Sequence, residues 1–182
     1  MTAILTVCTG NICRSPAAAL LLARALGDLA TVSSAGTHAL VGAGIPDEML
    51  AELAADDLDG SRHEGRLLTE AILTESDLVI TMTADHRQRA VRTGPAALKR
   101  TFTLAELAAA AGTGATLEGD TPAERLADIP RAVAAHRHVL ASYELDDVPD
   151  PYRRDQAVYH EAYGLIRGAV AEIAAWVQRP AR

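Results

Sequence analysis

The sequence predicts an α/β fold: a parallel four-stranded sheet with helices on both faces. Three observations predict it. Short apolar or β-branched runs alternate with helical segments along the chain. The first run passes through a short polar loop directly into an alanine- and leucine-rich helix. The last segment carries Tyr159, Tyr163, Ile166, Val170, Ile173 and Val177 at spacings of 4, 3, 4, 3 and 4, the stripe of a helix laid on a core. Strands separated by helices are joined by crossovers, and crossovers make parallel sheets.

Taken in order, Ala3 to Val7 is the first, central strand. Val7 to Pro16 is the polar loop, and Ala17 to Leu26 a helix apolar nearly all round, stopped by Gly27. Thr31 to Ser34 is β-rich and forms the second strand. A glycine-bearing loop follows, and Pro46-Asp47 open a helix that runs to about Ala55. Leu58 to Leu68 is irregular, Thr69 to Thr74 a short helix, and Asp77 to Met82 a buried third strand. A basic helix spans Ala84 to Arg92 and is broken by Thr93-Gly94-Pro95. Arg100 to Thr103 is the fourth strand and Leu104 to Ala111 a helix. Gly112 to Asp120 is small and polar, a mobile loop. Thr121, Pro122 and Glu124 then have the cap, first-turn and reach-back chemistry of a helix start. Pro130 is expected to interrupt that helix, which resumes to about Ser142. Asp146 to Tyr152 is a proline-bearing loop before the last helix.

With 182 residues, no internal repeat and 49% hydrophobic residues, the chain reads as one domain, 1–182, with a real core. The net charge of −7 argues against a general nucleic-acid binder or a basic membrane-surface protein. Any positive charge for an anion must therefore be local. No apolar run reaches the roughly 20 residues that span a membrane. The amino terminus lacks a basic leader and a small-residue cleavage site, so a cytoplasmic location is expected. Both cysteines, Cys8 and Cys13, lie in the one loop and staple nothing distant, which suits a reducing compartment.

That loop, V-C-T-G-N-I-C-R-S-P, is where the chemistry is expected. It lies at the carboxyl end of a strand and the amino end of a helix, where open α/β sheets bind ligands. The first N–H groups of a helix lack partners and carry partial positive charge, and consecutive inward-facing amides make a cup for an anion. The backbone of Thr9, Gly10, Asn11, Ile12, Cys13 and Ser15 is the expected cup. Gly10 is expected to allow a conformation that a side chain would resist, and Asn11 tolerates a left-handed one. The planar fork of Arg14 suits two oxygens of a phosphate. Helix N-termini and nearby cations favour the thiolate form of a cysteine, so Cys8 is expected as a thiolate aimed at the cup's contents. The Ser15 hydroxyl is placed to donate to it. A buried structural cysteine is the bland alternative. The company of glycine, asparagine, arginine and serine between a strand and a helix favours the functional one.

These residues resemble the phosphate-binding loop of the low-molecular-weight protein tyrosine phosphatases, a motif far longer than a bare Cys-x5-Arg. The resemblance extends to Ser34-Ala35-Gly36-Thr37, Ser61-x-His63-x-x-Arg66, Asp77-Leu78-Val79-Ile80 and Asp150-Pro151-Tyr152. About residues 108–145 match poorly, as a helical insertion. The resemblance implies one three-layer domain with strand order 2-1-3-4. It also implies a bacterial enzyme that hydrolyses phosphotyrosine through a cysteinyl-phosphate at Cys8, with Arg14 on the phosphate and no metal or cofactor. Phosphate, sulfate or vanadate would occupy the loop. The partner would be a phosphotyrosine protein, a tyrosine kinase among the possibilities.

A leaving phenolate needs a proton, which a thiolate cannot give and a carboxylic acid can. The resemblance implies that Asp150 is this acid, and then the base that activates water. Alone, Asp-Pro would be a turn; Asp146, Asp147 and Asp155 are solvated or capping charges. Tyr152 aligns with one wall of the slot for the substrate ring, and Leu40 with the opposite wall. Arg153 makes the slot more basic than where relatives carry a second tyrosine. Asn11, Ser15 and Ser34 are expected to brace the loop, with His63 a structural histidine beneath it. Cys13 aligns with a second loop cysteine. It either closes a disulfide that shields Cys8 from further oxidation or simply packs. Ala19 and Thr83 depart from the glutamate and aspartate common in relatives. His136 and His138 point to different faces of a helix, a poor start for a metal site.

Three other functions compete. Arsenate reductases of this fold need cysteines downstream, and none follows Cys13. Phosphoarginine phosphatases of this fold carry threonine where Ile12 stands. A non-catalytic phosphotyrosine-binding module would not need Cys8, Arg14 and Asp150 together.

Overall fold

The four strands β1 (Thr2–Cys8), β2 (Ala30–Gly36), β3 (Leu78–Thr81) and β4 (Thr101–Thr103) form one parallel sheet in the order β2-β1-β3-β4. This is seen in a computed structural model that describes residues 1–180. The chain leaves β1 toward β2 and then crosses back to β3 on the other side. The connections thus diverge between β1 and β3, and ligands collect in the crevice at the carboxyl ends of strands at such a point. Register sets what lies there: Cys8 pairs with Gly36 on one side, and Val7 with Thr81 on the other.

Side chains alternate across β1 because successive residues of a strand face opposite ways. Leu5 and Val7 join Ala35, Leu73, Val79, Ala90 and Ala97 in a small core on one face. Ile4 and Cys8 face the larger core on the other, filled by α1 (Arg14–Leu26) and α7 (Gln156–Gln178). Helices α2 (Asp47–Ala55), α5 (Leu104–Gly112) and α6 (Pro122–Leu140) pack against α7. The short α3 (Glu70–Thr74) and α4 (Ala84–Thr93) complete the helices. All six residues of the predicted α7 stripe are buried. The predicted four-stranded parallel sheet, its order and its helical layers are therefore present.

Three expectations are corrected. Helix α1 starts at Arg14 rather than Ala17, so Arg14, Ser15 and Pro16 form its first turn. Proline costs nothing extra in a first turn, where its missing N–H has no partner to lose. Pro130 does not interrupt α6, which runs unbroken from Pro122 to Leu140. A proline inside a helix forfeits one hydrogen bond at about 3 kcal/mol, and Leu126, Ile129, Ala132 and Val133, all buried on one side of α6, offset it. The segment between α5 and α6 is irregular but held: Ala115 and Leu117 are buried, and the Trp176 indole donates to the Ala115 carbonyl at 2.8 Å. The start of α6 is as expected, with Thr121 and Glu124 capping each other reciprocally. Thr103 and Glu106 make the same reciprocal cap on α5.

Candidate active site

Past Cys8 the chain turns through Thr9–Cys13 into α1, and a cleft of about 160 Å³ opens above the turn. Cys8, Thr9, Gly10, Ile12, Cys13 and Arg14 line its floor. His38 and Leu40, from the β2–α2 connection, and Asp150 and Tyr152, from the α6–α7 connection, line its walls. Leu40 and Tyr152 are both part-exposed, at 43% and 38%, and flank a slot with an apolar side. The cation of Arg153 stacks over the Tyr152 ring, 5.1 Å from its centroid.

Asn11 takes the left-handed conformation expected of it, with φ of 56°. Gly10 does not. A Cβ there would instead meet the Ile12 side chain at 3.3 Å, so the glycine is explained by space and not by backbone freedom. Asn11 is fully buried beneath the turn, and its amide is oriented unambiguously. Its Oδ1 accepts from the backbone N–H of Arg66 at 2.9 Å. Its Nδ2 must therefore be the donor to Ser15 Oγ at 3.0 Å and to Ser34 Oγ at 2.9 Å. Ser15 Oγ, accepting from Asn11, also lies 2.9 Å from Cys8 Sγ, within reach to donate its proton to a thiolate there. His63 Nε2 donates to the Asn11 carbonyl at 2.6 Å, so His63 supports the turn from beneath.

Arg14 is 4% exposed and twice held by the α6–α7 connection. It donates to the Val148 carbonyl at 3.0 Å and pairs with Asp150 Oδ2 at 3.0 Å. That connection is itself docked on the end of β3. The Val148 N–H donates to the Met82 carbonyl at 3.0 Å, and Asp147 caps α4 by accepting from the Ala84 N–H at 2.8 Å. Asp147 is a capping charge, as expected.

The second thiol differs from the first in its surroundings. Burial, followed by the charges of Cys8 and Asp150, pushes the Cys13 thiol up to about 12, so it stays protonated at neutral pH. Both cysteines are free and buried. Burial likewise raises Tyr159, beside Cys13, to about 12.

The structure gathers every residue singled out for the site. Cys8, Thr9, Gly10, Ile12, Cys13, Arg14, Leu40, Asp150 and Tyr152 border the cleft, while Asn11, Ser15, Ser34 and His63 lie beneath it. Three residues escaped sequence reasoning. His38 borders the cleft and stands 3.4 Å from Arg89; a lone histidine in a loop carries no signal. Gly36 touches the turn from β2: a Cβ there would lie 2.5 Å from the Thr9 carbonyl oxygen and 2.9 Å from the Asn11 nitrogen. A glycine ending a β-rich run is a weak sign of such an approach. His86, in the first turn of α4, is 3% exposed and reaches Thr9 Oγ1 with Nε2 at 2.8 Å. Burial first, and the Arg14 cation second, lower it from 6.5 to about 4, against Asp85, Asp150 and Asp147. Thr83 three residues earlier, a cap for α4, was its one local sign.

Comparison with known proteins agrees with this geometry. The family model described as low molecular weight phosphotyrosine protein phosphatase matches residues 3–123. The low molecular weight protein-tyrosine-phosphatase Etp of Escherichia coli K12 is 29% identical over 182 residues, covering 98% of this chain and 95% of Etp. The structure of Vibrio vulnificus Wzb in complex with benzylphosphonate superposes with a TM-score of 0.72 at 25% identity, covering 97% of each chain. The YwlE arginine phosphatase from Geobacillus stearothermophilus superposes with a TM-score of 0.73 at 25% identity, covering 98% of this chain and 94% of that one. With a loop of this sequence at the switch point of a 2-1-3-4 sheet and the family model matched across most of its length, the chain belongs to the low molecular weight phosphotyrosine protein phosphatases, enzymes that hydrolyse phosphoric monoesters.

Proposed function

We propose that this chain releases phosphate from phosphotyrosine in proteins, with Cys8 as nucleophile, Arg14 as phosphate ligand and Asp150 as general acid and base. One observation carries the assignment: Cys8 Sγ lies 2.9 Å from Ser15 Oγ in a cleft that also holds Arg14 and Asp150 in contact with each other. The sulfur attacks phosphorus, the bond from phosphorus to the phenolic oxygen breaks, and protonated Asp150 gives its proton to that oxygen. A water then attacks the cysteinyl-phosphate while the Asp150 carboxylate takes its proton. The sulfur departs as a thiolate, stabilised by the Ser15 hydroxyl, and inorganic phosphate leaves. Backbone amides and Arg14 supply donors for the charge that spreads over the equatorial oxygens.

The apolar side of Ile12 and Leu40, with the ring of Tyr152, favours an aryl group in the slot over a guanidino one. We assign the chain to a reducing bacterial cytoplasm, since a working thiolate and a second free thiol persist there, and its partner to phosphotyrosine proteins such as tyrosine kinases. The test is turnover of phosphotyrosine, phosphoserine, phosphoarginine and arsenate side by side, with Cys8→Ser as control. Phosphotyrosine is expected to be turned over fastest and Cys8→Ser to release no phosphate. Faster phosphoarginine turnover would transfer the assignment to the YwlE-like activity, and full activity in Cys8→Ser would end the role given to the sulfur.

A further inference from the structure

His86 has no part in the chemistry above, yet this buried ring joins α4 to the phosphate loop through two hydroxyls. Its Nδ1 lies 2.9 Å from Thr83 Oγ1 and its Nε2 lies 2.8 Å from Thr9 Oγ1. Thr83 Oγ1 also accepts the His86 backbone N–H at 3.1 Å, as the cap of α4. Two arrangements of protons are possible on a neutral ring. If Nδ1 carries the proton, Thr83 Oγ1 accepts twice, Thr9 donates to Nε2, and the spare proton belongs to the half-buried Thr83 hydroxyl, away from the cleft. If Nε2 carries it, Thr83 donates to Nδ1, Nε2 donates to Thr9 Oγ1, and the spare proton belongs to Thr9. Thr9 is exposed and borders the cleft. Both arrangements leave one hydroxyl proton free, and only the second leaves it on Thr9, which borders the cleft.

We propose that His86 is a positioning residue: as the Nε2–H tautomer it donates to Thr9 Oγ1 and so turns the Thr9 hydroxyl proton into the cleft, where it donates to an oxygen of the bound phosphate. Thr9 is then a neutral side-chain ligand beside the charged Arg14, an inference that rests on the phosphate cup assigned above. The chain of contacts is Thr83, His86, Thr9, anion, each hydroxyl accepting from one neighbour and donating to the next. The ring must remain neutral, since an imidazolium would donate from both nitrogens and reverse the Thr83 link. Arg14 opposes its charge, and Asp85, Asp147 and Asp150 favour it.

Two measurements on the intact protein test this. In long-range proton–nitrogen NMR spectra, His86 is expected to show a proton on Nε2 and none on Nδ1 between about pH 5 and pH 8; a proton on Nδ1 would overturn the proposal. Affinity for inorganic phosphate is then read from amide shifts during titration, so turnover is not needed. Thr9→Val keeps the shape and removes the hydroxyl; it is expected to weaken phosphate binding about three- to ten-fold, the range of one neutral hydrogen bond. Thr9→Ser should bind as the parent does. His86→Leu should weaken binding similarly, and His86→Gln, with an N–H near the position of Nε2, should recover it. The double variant Thr9→Val/His86→Leu should bind no worse than Thr9→Val alone. Unchanged affinity in Thr9→Val, or factors that multiply in the double variant, would overturn the proposal. A chain that binds phosphate in this pattern but hydrolyses no ester would sink the catalytic assignment and leave the Thr9 donor intact.

Discussion

Replacing Gly36 with alanine should disable the site from behind without altering any side chain that meets substrate. The added Cβ would lie 2.5 Å from the Thr9 carbonyl oxygen, 2.9 Å from the Asn11 nitrogen and 3.0 Å from the Asn11 Cβ. Non-bonded heavy atoms rest at about 3.5 Å, so relief needs a shift of about 1 Å at the worst contact. β2 cannot supply it. The Gly36 N–H donates to the Arg66 carbonyl at 2.9 Å, and its own carbonyl accepts from Leu68 at 2.8 Å. Cys8 and Gly36 are also paired in the sheet. The turn that carries the cup must move instead. A displacement of about 1 Å at a reacting group costs on the order of 10²-fold in rate, and forced overpacking costs about 1–3 kcal/mol of stability. The assay is kcat/KM for p-nitrophenyl phosphate alongside thermal unfolding. Gly36→Ala is expected to lose about 10²-fold in rate and, at about 2–4 °C per kcal/mol for a chain of this size, several degrees of Tm. A variant with parental rate and Tm would refute the claim that this approach holds the cup in place.

Asp150→Ala should slow phenyl phosphate much more than p-nitrophenyl phosphate, because a poor leaving group needs the proton and a good one does not; equal slowing would remove Asp150 from the acid role. His86 makes stability fall in acid. Its folded value of about 4 lies below the ordinary 6.5, so the unfolded chain binds more protons between these values. The contribution is full above pH 6.5 and is lost as pH falls toward 4, about 2 kcal/mol by pH 4.5. Urea unfolding at pH 7 and pH 4.5 should show a smaller acid loss in His86→Gln than in the parent, and an identical loss would contradict it. Ser15→Ala should slow breakdown of the cysteinyl-phosphate more than its formation, by removing the donor 2.9 Å from the departing sulfur. Burst kinetics would read this as accumulated intermediate, and a steady state without a burst would count against it.

Local chemistry made most of the fold and the floor of the cleft legible. A strand, a polar turn and a helix adjoin in sequence, so Cys8, Arg14 and Ser15 could be placed by spacing alone. The stripe of α7 and the cap of α6 are likewise contained in a few consecutive residues. What sequence could not show was which distant groups meet. Gly36 matters through a contact set by strand register, and His86 through the packing of α4 on β1. Pro130 departs from expectation for the same reason: local propensity disfavours it within a helix, and burial of Leu126, Ile129 and Val133 outweighs propensity. Asp150 is singled out by resemblance alone, because Asp-Pro is an ordinary turn until Arg14 lies beside it.

The guanidinium of Arg14 takes its aim from a carbonyl 134 residues further along the chain, and its counter-charge from Asp150. A nascent polypeptide that has not yet emerged past those positions has the Cys8 thiol and Ser15 but neither group that orients the cation. The loop is made before the groups that complete it, so the cation is aimed only once Val148 and Asp150 have emerged.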